Sequence, residues 1–264
     1  MLSLSGNFSK VARNVIEKSN YRSFEIDEDK LAAVRYLDCS HMEIPDEKRC
    51  LYPSKFLLEN KVCLKSCMSE KIDISLLERL ATLADRFVVH IYTSHFHDKW
   101  IEFLPTWKNM TEVSFCSDFS NSMSVLLRKM VYSKQLKRLY IGSNTYNDDD
   151  WDTMSLLFTQ NQFRILSLDE GDIEIVSFVV TRWITHPREM KGKSLDMKAY
   201  IKMTQMDYTD YMRTNPNTPH WKSLHFTTTH EQTFMSIHYY NKYGTINMSL
   251  DDFLDGVTYS KMSF

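Results

Sequence analysis

"LKRLYIGSN" (Leu136–Asn144) is the stretch on which the fold turns. It sets Leu136, Leu139 and Ile141 at L-x-x-L-x-I spacing and closes on Asn144, as the strand-and-turn segment of a leucine-rich repeat does. A single string of this kind arises by chance in 264 residues, so its meaning depends on whether it is one rung of a series.

A series is present. Apolar-x-apolar pairs recur as Val34/Tyr36, Val62/Leu64, Val89/Ile91, Val113/Phe115, Leu139/Ile141, Leu166/Leu168, Leu195/Met197 and Leu224/Phe226. Their first members are separated by 28, 27, 24, 26, 27, 29 and 29 residues. That step fits the roughly 20–29-residue period of leucine-rich repeats. Between the pairs lie helical stripes. "ISLLERLATLADRF" (74–87) carries Leu76, Leu77, Leu80, Leu83 and Ala84 on one face. Met123, Leu126, Leu127 and Met130 form a second stripe, Met154, Leu157 and Phe158 a third, and Ile175, Phe178, Val179 and Trp183 a fourth. A strand–turn–helix unit cannot bury its apolar face alone, so neighbouring units stack into one core.

The ends depart from the pattern. Residues 5–19 read as a short helix, and "TFMSIHYYNKYGTINMSL" (233–250) reads as two strands joined by a turn at 241–244. Gly244 suits the positive φ of such a turn, and a hairpin there caps the sheet edge.

Composition narrows the functions. A formal charge of -2 and no basic stripe argue against a nucleic-acid partner. No run of about 18 apolar residues predicts a membrane span. Five cysteines, an odd count without a secretory signal, point to reduced thiols in a cytoplasmic or nuclear protein.

The segment from Leu136 to about Ile201 resembles the nematode F-box-associated type 2 domain. The residues that carry the resemblance are the strand "KRLYI" (137–141), the stretch "DDWDTMSLLFTQNQFRILSL" (149–168), the helix "IEIVSFVVTRWI" (173–184) and the strand "KSLDM" (193–197). Asp150 (or Asp149), Asn161, Phe178, Trp183 and Ile184 occupy the motif positions, while "THPREMKGK" replaces the usual Gly or Asn turn after Trp-Ile. "LSLSGNFSKVARNVIEKSN" (2–20) resembles only the last helix of an F-box, so apolar surface near Val11 and Ile16 is expected to be uncovered. The repeat series predicts an α/β fold, a leucine-rich-repeat-like strand–helix solenoid, to which the resemblance adds a remnant F-box helix over residues 1–20. The repeat-like domain then spans 21–264, with the F-box-associated region at about 136–201 and a C-terminal β-hairpin cap at about 233–250. The resemblance also implies a protein-interaction module, the substrate-recognition part of an SCF-type ubiquitin ligase receptor. A Skp-type adaptor is then a partner, but the F-box helices that would dock it are incomplete. A ligase-independent binding protein or decoy from a truncated paralogue is the alternative, and an unrecognised enzyme is a second one.

In a leucine-rich strand the residue between the apolar pair faces outward. The expected partner-binding row is therefore His90, Ser114, Tyr140, Ser167, Asp196 and His225, flanked by Tyr92, Cys116, Asp169, Lys198 and Thr227. Its polar, Tyr- and His-bearing character suits an unidentified protein target. Other clusters read as structural. His90, His95, His97 and Asp98 are expected as strand-end and loop residues rather than metal ligands. Cys63 and Cys67 lack a second pair to make a zinc knuckle. Asp148, Asp149, Asp150 and Asp152 lack the glycine and distal glutamate of a calcium loop, and an aspartate is expected to cap a helix there. No nucleophile elbow, phosphate loop or H-E-x-x-H is present, so neither enzyme activity nor a cofactor is expected.

Overall fold

The computed structural model describes residues 7–28, 30–52, 57–67, 75, 86–107, 109–142, 147–169, 173–198, 201, 211–214, 219–227, 234–245 and 248–264. The chain divides into two compact units, Met1–Ser114 and Phe115–Phe264. Each is α/β, and the strands pair in both parallel and antiparallel fashion.

The first unit opens with helix α1 (Asn7–Lys18), where a helix is expected, and Val15 and Ile16 on it are exposed. Strands β1 (Asn20–Asp27) and β2 (Lys30–Asp38) follow as an antiparallel hairpin. Asp27 pairs with Lys30 across the turn, and Glu28 adopts φ +48°. Tight hairpin turns need that left-handed backbone because it matches the twist of the strands. A 3-10 turn (Asp46–Leu51) leads to β3 (Leu57–Leu64), β4 (Phe87–Ile91), helix α2 (Asp98–Phe103) and β5 (Met110–Phe115). The strand order is β2-β1-β3-β4-β5, with β1–β3 and β3–β4 parallel. The expected pairs fall in register, Val62 opposite Val89 and Leu64 opposite Ile91, and all four are fully buried. Val34/Tyr36 corrects the reading. It lies in β2, an antiparallel edge strand, because the chain turns at Glu28 and runs straight back along β1. The helix expected over 74–87 falls almost wholly outside the described residues.

The second unit holds α3 (Asn121–Ser133), β6 (Arg138–Ile141), α4 (Asp148–Thr159), β7 (Ile165–Leu168), α5 (Ile173–Thr185), α6 (Pro187–Met190) and β8 (Ser194–Met197). It continues with β9 (Tyr211–Thr214), β10 (Trp221–Thr227), β11 (Phe234–Tyr240), α7 (Leu250–Asp255) and β12 (Tyr259–Ser263). The order is β6-β7-β8-β12-β11-β10-β9. Strands β6, β7 and β8 are parallel and in register: Leu139 meets Leu166, which meets Leu195, and Ile141 meets Leu168, which meets Met197. These residues are buried, as are Met123, Leu126, Leu127 and Met130 of α3, Met154, Leu157 and Phe158 of α4, and Ile175, Val179 and Trp183 of α5. Burying each such side chain contributes about 1.5–3 kcal/mol. Sequence-neighbouring helices touch one another, α3 against α4 and α4 against α5. Asn144, which closes the opening motif, lies outside the described residues.

Beyond β8 every pairing is antiparallel. This corrects two expectations. Leu224/Phe226 lies in β10, and β12 and β11 stand between it and β8. The C-terminal β12 takes the β8 edge because its alternate residues Ser260 and Met262 bury completely in register with Met197 and Leu195. The hairpin over 233–250 is replaced as well. β11 is its first strand, but Ser249 then accepts a hydrogen bond from the Asp252 backbone N–H and starts α7. Gly244 does not take a positive φ; among the described glycines only Gly192 does, at +75°. A Cβ on Gly244 would sit 2.7 Å from Phe253 Cε2 and 3.0 Å from the Pro219 carbonyl oxygen, so close approach is what excludes a side chain there.

Candidate functional site

A strand pleat turns alternate residues to opposite sides of a sheet. In the second unit one set forms the core, and the other set lines an outward face. Register joins that face into one row. Tyr140 pairs with Ser167, Ser167 with Asp196, Asp196 with Lys261, Lys261 with His238, and His238 with Ser223. A second row, Tyr259–Tyr240–Trp221, runs beside it. Asp169 and Lys198 extend from the ends of β7 and β8, and Ser236 pairs with His225 on the other flank.

Three clusters organise this face. In the first, the Tyr140 hydroxyl donates to Asp169 Oδ1 at 2.6 Å, and Lys198 Nζ lies 2.7 Å from the same oxygen. Burial, followed by the hydrogen bond to Asp169, pushes the Tyr140 pKa up. The hydrogen bond to Asp169 raises that of Lys198. In the second, Lys261 Nζ stands 3.6 Å from Asp196 Oδ1, an atom that is buried and has no hydrogen-bond partner among the described residues. Burial and the nearby Asp196 carboxylate hold the Tyr259 phenol above its ordinary value. In the third, Ser223 Oγ pairs with His238 Nδ1 at 2.7 Å and Ser236 Oγ with His225 Nδ1 at 2.8 Å, the two imidazoles being 6.2 Å apart. Burial, then His225 and Lys261, depress the His238 pKa and favour its neutral form. Trp221, 38% exposed, packs at 5.0 Å on Tyr240 and edge-on at 6.0 Å on Tyr259. The face thus sets aromatic rings beside fixed charges and oriented hydroxyls.

The expected row divides between the units. His90, Tyr92 and Ser114 belong to the first. There His90 stacks on Tyr92 at 6.4 Å, and burial with the Lys61 charge pushes its pKa down to about 4. Tyr92 is 47% exposed, but Ser114 is only 3% exposed and does not present its side chain to solvent. In the second unit Tyr140, Ser167, Asp169, Asp196 and Lys198 come together as expected. His225 lies on the same side, but two strands separate it from β8, so it is not the neighbour of Asp196. The side chain of Thr227 lies outside the described residues. Lys261, Tyr259, His238, Tyr240 and Trp221 were not foreseen. The signal for the first two is the short alternation "TYSKMSF", in which Tyr259 and Lys261 point out while Ser260 and Met262 point in.

Of the expected motif residues, Asp150, Phe178 and Trp183 serve the scaffold. Asn147, rather than an aspartate, caps α4; Asp150 is its capping-box partner, its carboxylate accepting from the Asn147 N–H at 3.1 Å. Trp183 is buried, Phe178 packs edge-on against Trp151 at 5.8 Å, and Ile184 is 50% exposed. Asn161 is exposed and lines a surface pocket of about 370 Å³ with Val131, Lys134, Leu156 and Gln160. His97 caps α2 through its Nδ1, which accepts from the Lys99 N–H. Among the described residues no three His, Cys, Asp or Glu side chains gather as metal ligands, and no helix is long and apolar enough to cross a membrane. No protein-family model, curated protein or solved structure matches the chain.

Proposed function

We propose that this chain is a protein-interaction module that recognises its target through the outward sheet face of the second unit. The observation that supports the reading is the continuous row Tyr140–Ser167–Asp196–Lys261–His238–Ser223, bordered by Trp221, Tyr240 and Tyr259. Interfaces draw most of their binding energy from a few aromatic and charged anchors of this kind. The parallel strands, whose paired leucines recur 27 and 29 residues apart, favour a leucine-rich-repeat-like solenoid as the scaffold. On the resemblance to F-box-associated domains, the role is to recruit a target to an SCF-type ubiquitin ligase through a Skp-type adaptor. The row lies wholly within the second unit, which favours target binding without ligase docking as the second reading.

One capture experiment separates these readings. Wild type and a Tyr140→Ala/Trp221→Ala double variant, matched by circular dichroism, are used as bait in the same lysate. A partner held by wild type and lost from the variant is expected. A captured set indifferent to both substitutions sinks the proposed face. Skp adaptor in the wild-type capture supports the ligase role, and a face-dependent partner captured without it supports the second reading.

A further inference from the structure

We propose that the first unit carries an oxyanion site of the phosphate class, centred on Arg22. Arg22 lies on β1, paired with Tyr36 on β2 and with Asn60 on β3. Its guanidinium carbon stands 5.3 Å from the Tyr36 ring centroid and 5.9 Å from that of Phe24. The side chain is half-buried, and its Nε is fully buried without a hydrogen-bond partner. Among the described residues no carboxylate forms an ion pair with it. A guanidinium stays charged at every relevant pH, so burial cannot neutralise it. The two ring faces offset only part of the hydration it has lost. Among the described residues the group is a cation without a counter-charge, and its Nε donor is unused.

A second guanidinium shares the same ring. Arg49, on the 3-10 turn, lies 4.3 Å from the Tyr36 centroid and is held by Asp46 at 2.5 Å. Two carboxylates on these segments are already engaged. Asp46 is on Arg49, and Asp38 Oδ1 accepts the backbone N–H groups of Ser40 and Met42 at 2.8 and 3.0 Å. The pair therefore has two cationic forks against one committed counter-charge. A carboxylate offers two oxygens, whereas a tetrahedral oxyanion offers three or four, so it can take several donors of the Arg22 guanidinium while Arg49, on the same ring, adds positive charge. That geometry selects phosphate, either as the free ion or as a phosphoryl ester.

The test is thermal unfolding of the full chain while phosphate replaces chloride at constant ionic strength, up to about 50 mM. O-phospho-L-serine is titrated in parallel. Wild type is expected to show a saturable rise in Tm with at least one probe. Saturation with both supports a phosphate-class site, and saturation with O-phosphoserine alone assigns it to phosphoryl esters. Arg22→Met is expected to weaken the apparent affinity by at least about tenfold, and Arg49→Gln by about threefold. With an unmatched cation removed, R22M in chloride is expected to melt at or above the wild-type temperature. Should R22M fail to fold, the R49Q titration and phosphorus NMR line broadening of the bound probe read the same site. No saturable response in wild type to either probe overturns the proposal. So does an equal response in wild type and both variants.

Discussion

Lys193 carries an ammonium group into the interior of the second unit. Its Nζ donates to the Phe158 carbonyl at 2.5 Å, in the last turn of α4. Carbonyls there lack intrahelical partners, and the helix dipole is negative, so a cation is favoured. Burial opposes it and, with Arg164 adding repulsion, pushes the pKa down to about 8 from 10.5. Lys193→Met removes the donor while keeping the length. It is expected to cost about 1–3 kcal/mol in urea unfolding at pH 7. The sign of the pH dependence follows from the depressed pKa. Between about 8 and 10.5 the unfolded chain holds a proton that the folded chain has released, so this group's contribution to stability grows as pH rises through that window. The gap between wild type and K193M should therefore widen from pH 8 to 10. A gap that narrows would contradict the assignment. Sequence reading located Leu195 and Met197 beside this lysine but gave no sign of its burial, because lysine is an exposed residue by default. Asp196 shows the opposite case: strand alternation alone placed it on the outward face, and there it lies.

The elements differ in legibility for local reasons. Helix α4 was readable because "NTYNDDDWD" combines a cap residue with an acidic first turn, and only the cap itself shifted, to Asn147. Asn147 Oδ1 accepts from the Asp150 N–H, whereas the reciprocal bond is donated by the Asn147 backbone and survives substitution, so Asn147→Ala removes one capping bond and is expected to lower stability by about 1 kcal/mol, measured by urea midpoint. Asp148→Asn, which alters charge but neither bond, should cost less; an equal loss would move the stabilisation from cap to dipole. Helix α7 was missed although its S-x-x-D start, Ser249 to Asp252, carries the same kind of signal. The alternating apolar residues of β11 drew the reading into a second strand. What decides against that strand is tertiary: Phe253 is fully buried and lies against the backbone of Gly244. Gly244→Ala should cost about 1–3 kcal/mol because the ring or the backbone must move.

At the scale of the molecule, periodicity placed the expected apolar pairs on strands but did not settle their direction. Parallel order persists where a helix returns the chain, as from β6 through β8, and pairing turns antiparallel where short connections or the C-terminal strand fill an edge. Direction is not encoded in the apolar pair, which reads the same either way. Both units share a further property, a histidine held neutral on a strand: His90 with a pKa near 4, and His238 with a depressed one. Folded pKa values below the unfolded value near 6.5 mean that acidification protonates the unfolded chain first. The stabilisation is complete above pH 6.5 and is lost as pH falls toward 4. For His90 the loss is on the order of 2 kcal/mol, allowing for its partial exposure. Carboxylate titration adds to the slope in every variant, so the useful comparison is differential. Urea midpoints at pH 7.5, 5.5 and 4.5 are expected to fall less steeply for His90→Asn than for wild type, and His238→Asn should flatten the curve in the same direction. Parallel curves for wild type and both variants would mean that neither imidazole is held neutral, and the burial of both would have to be reassigned.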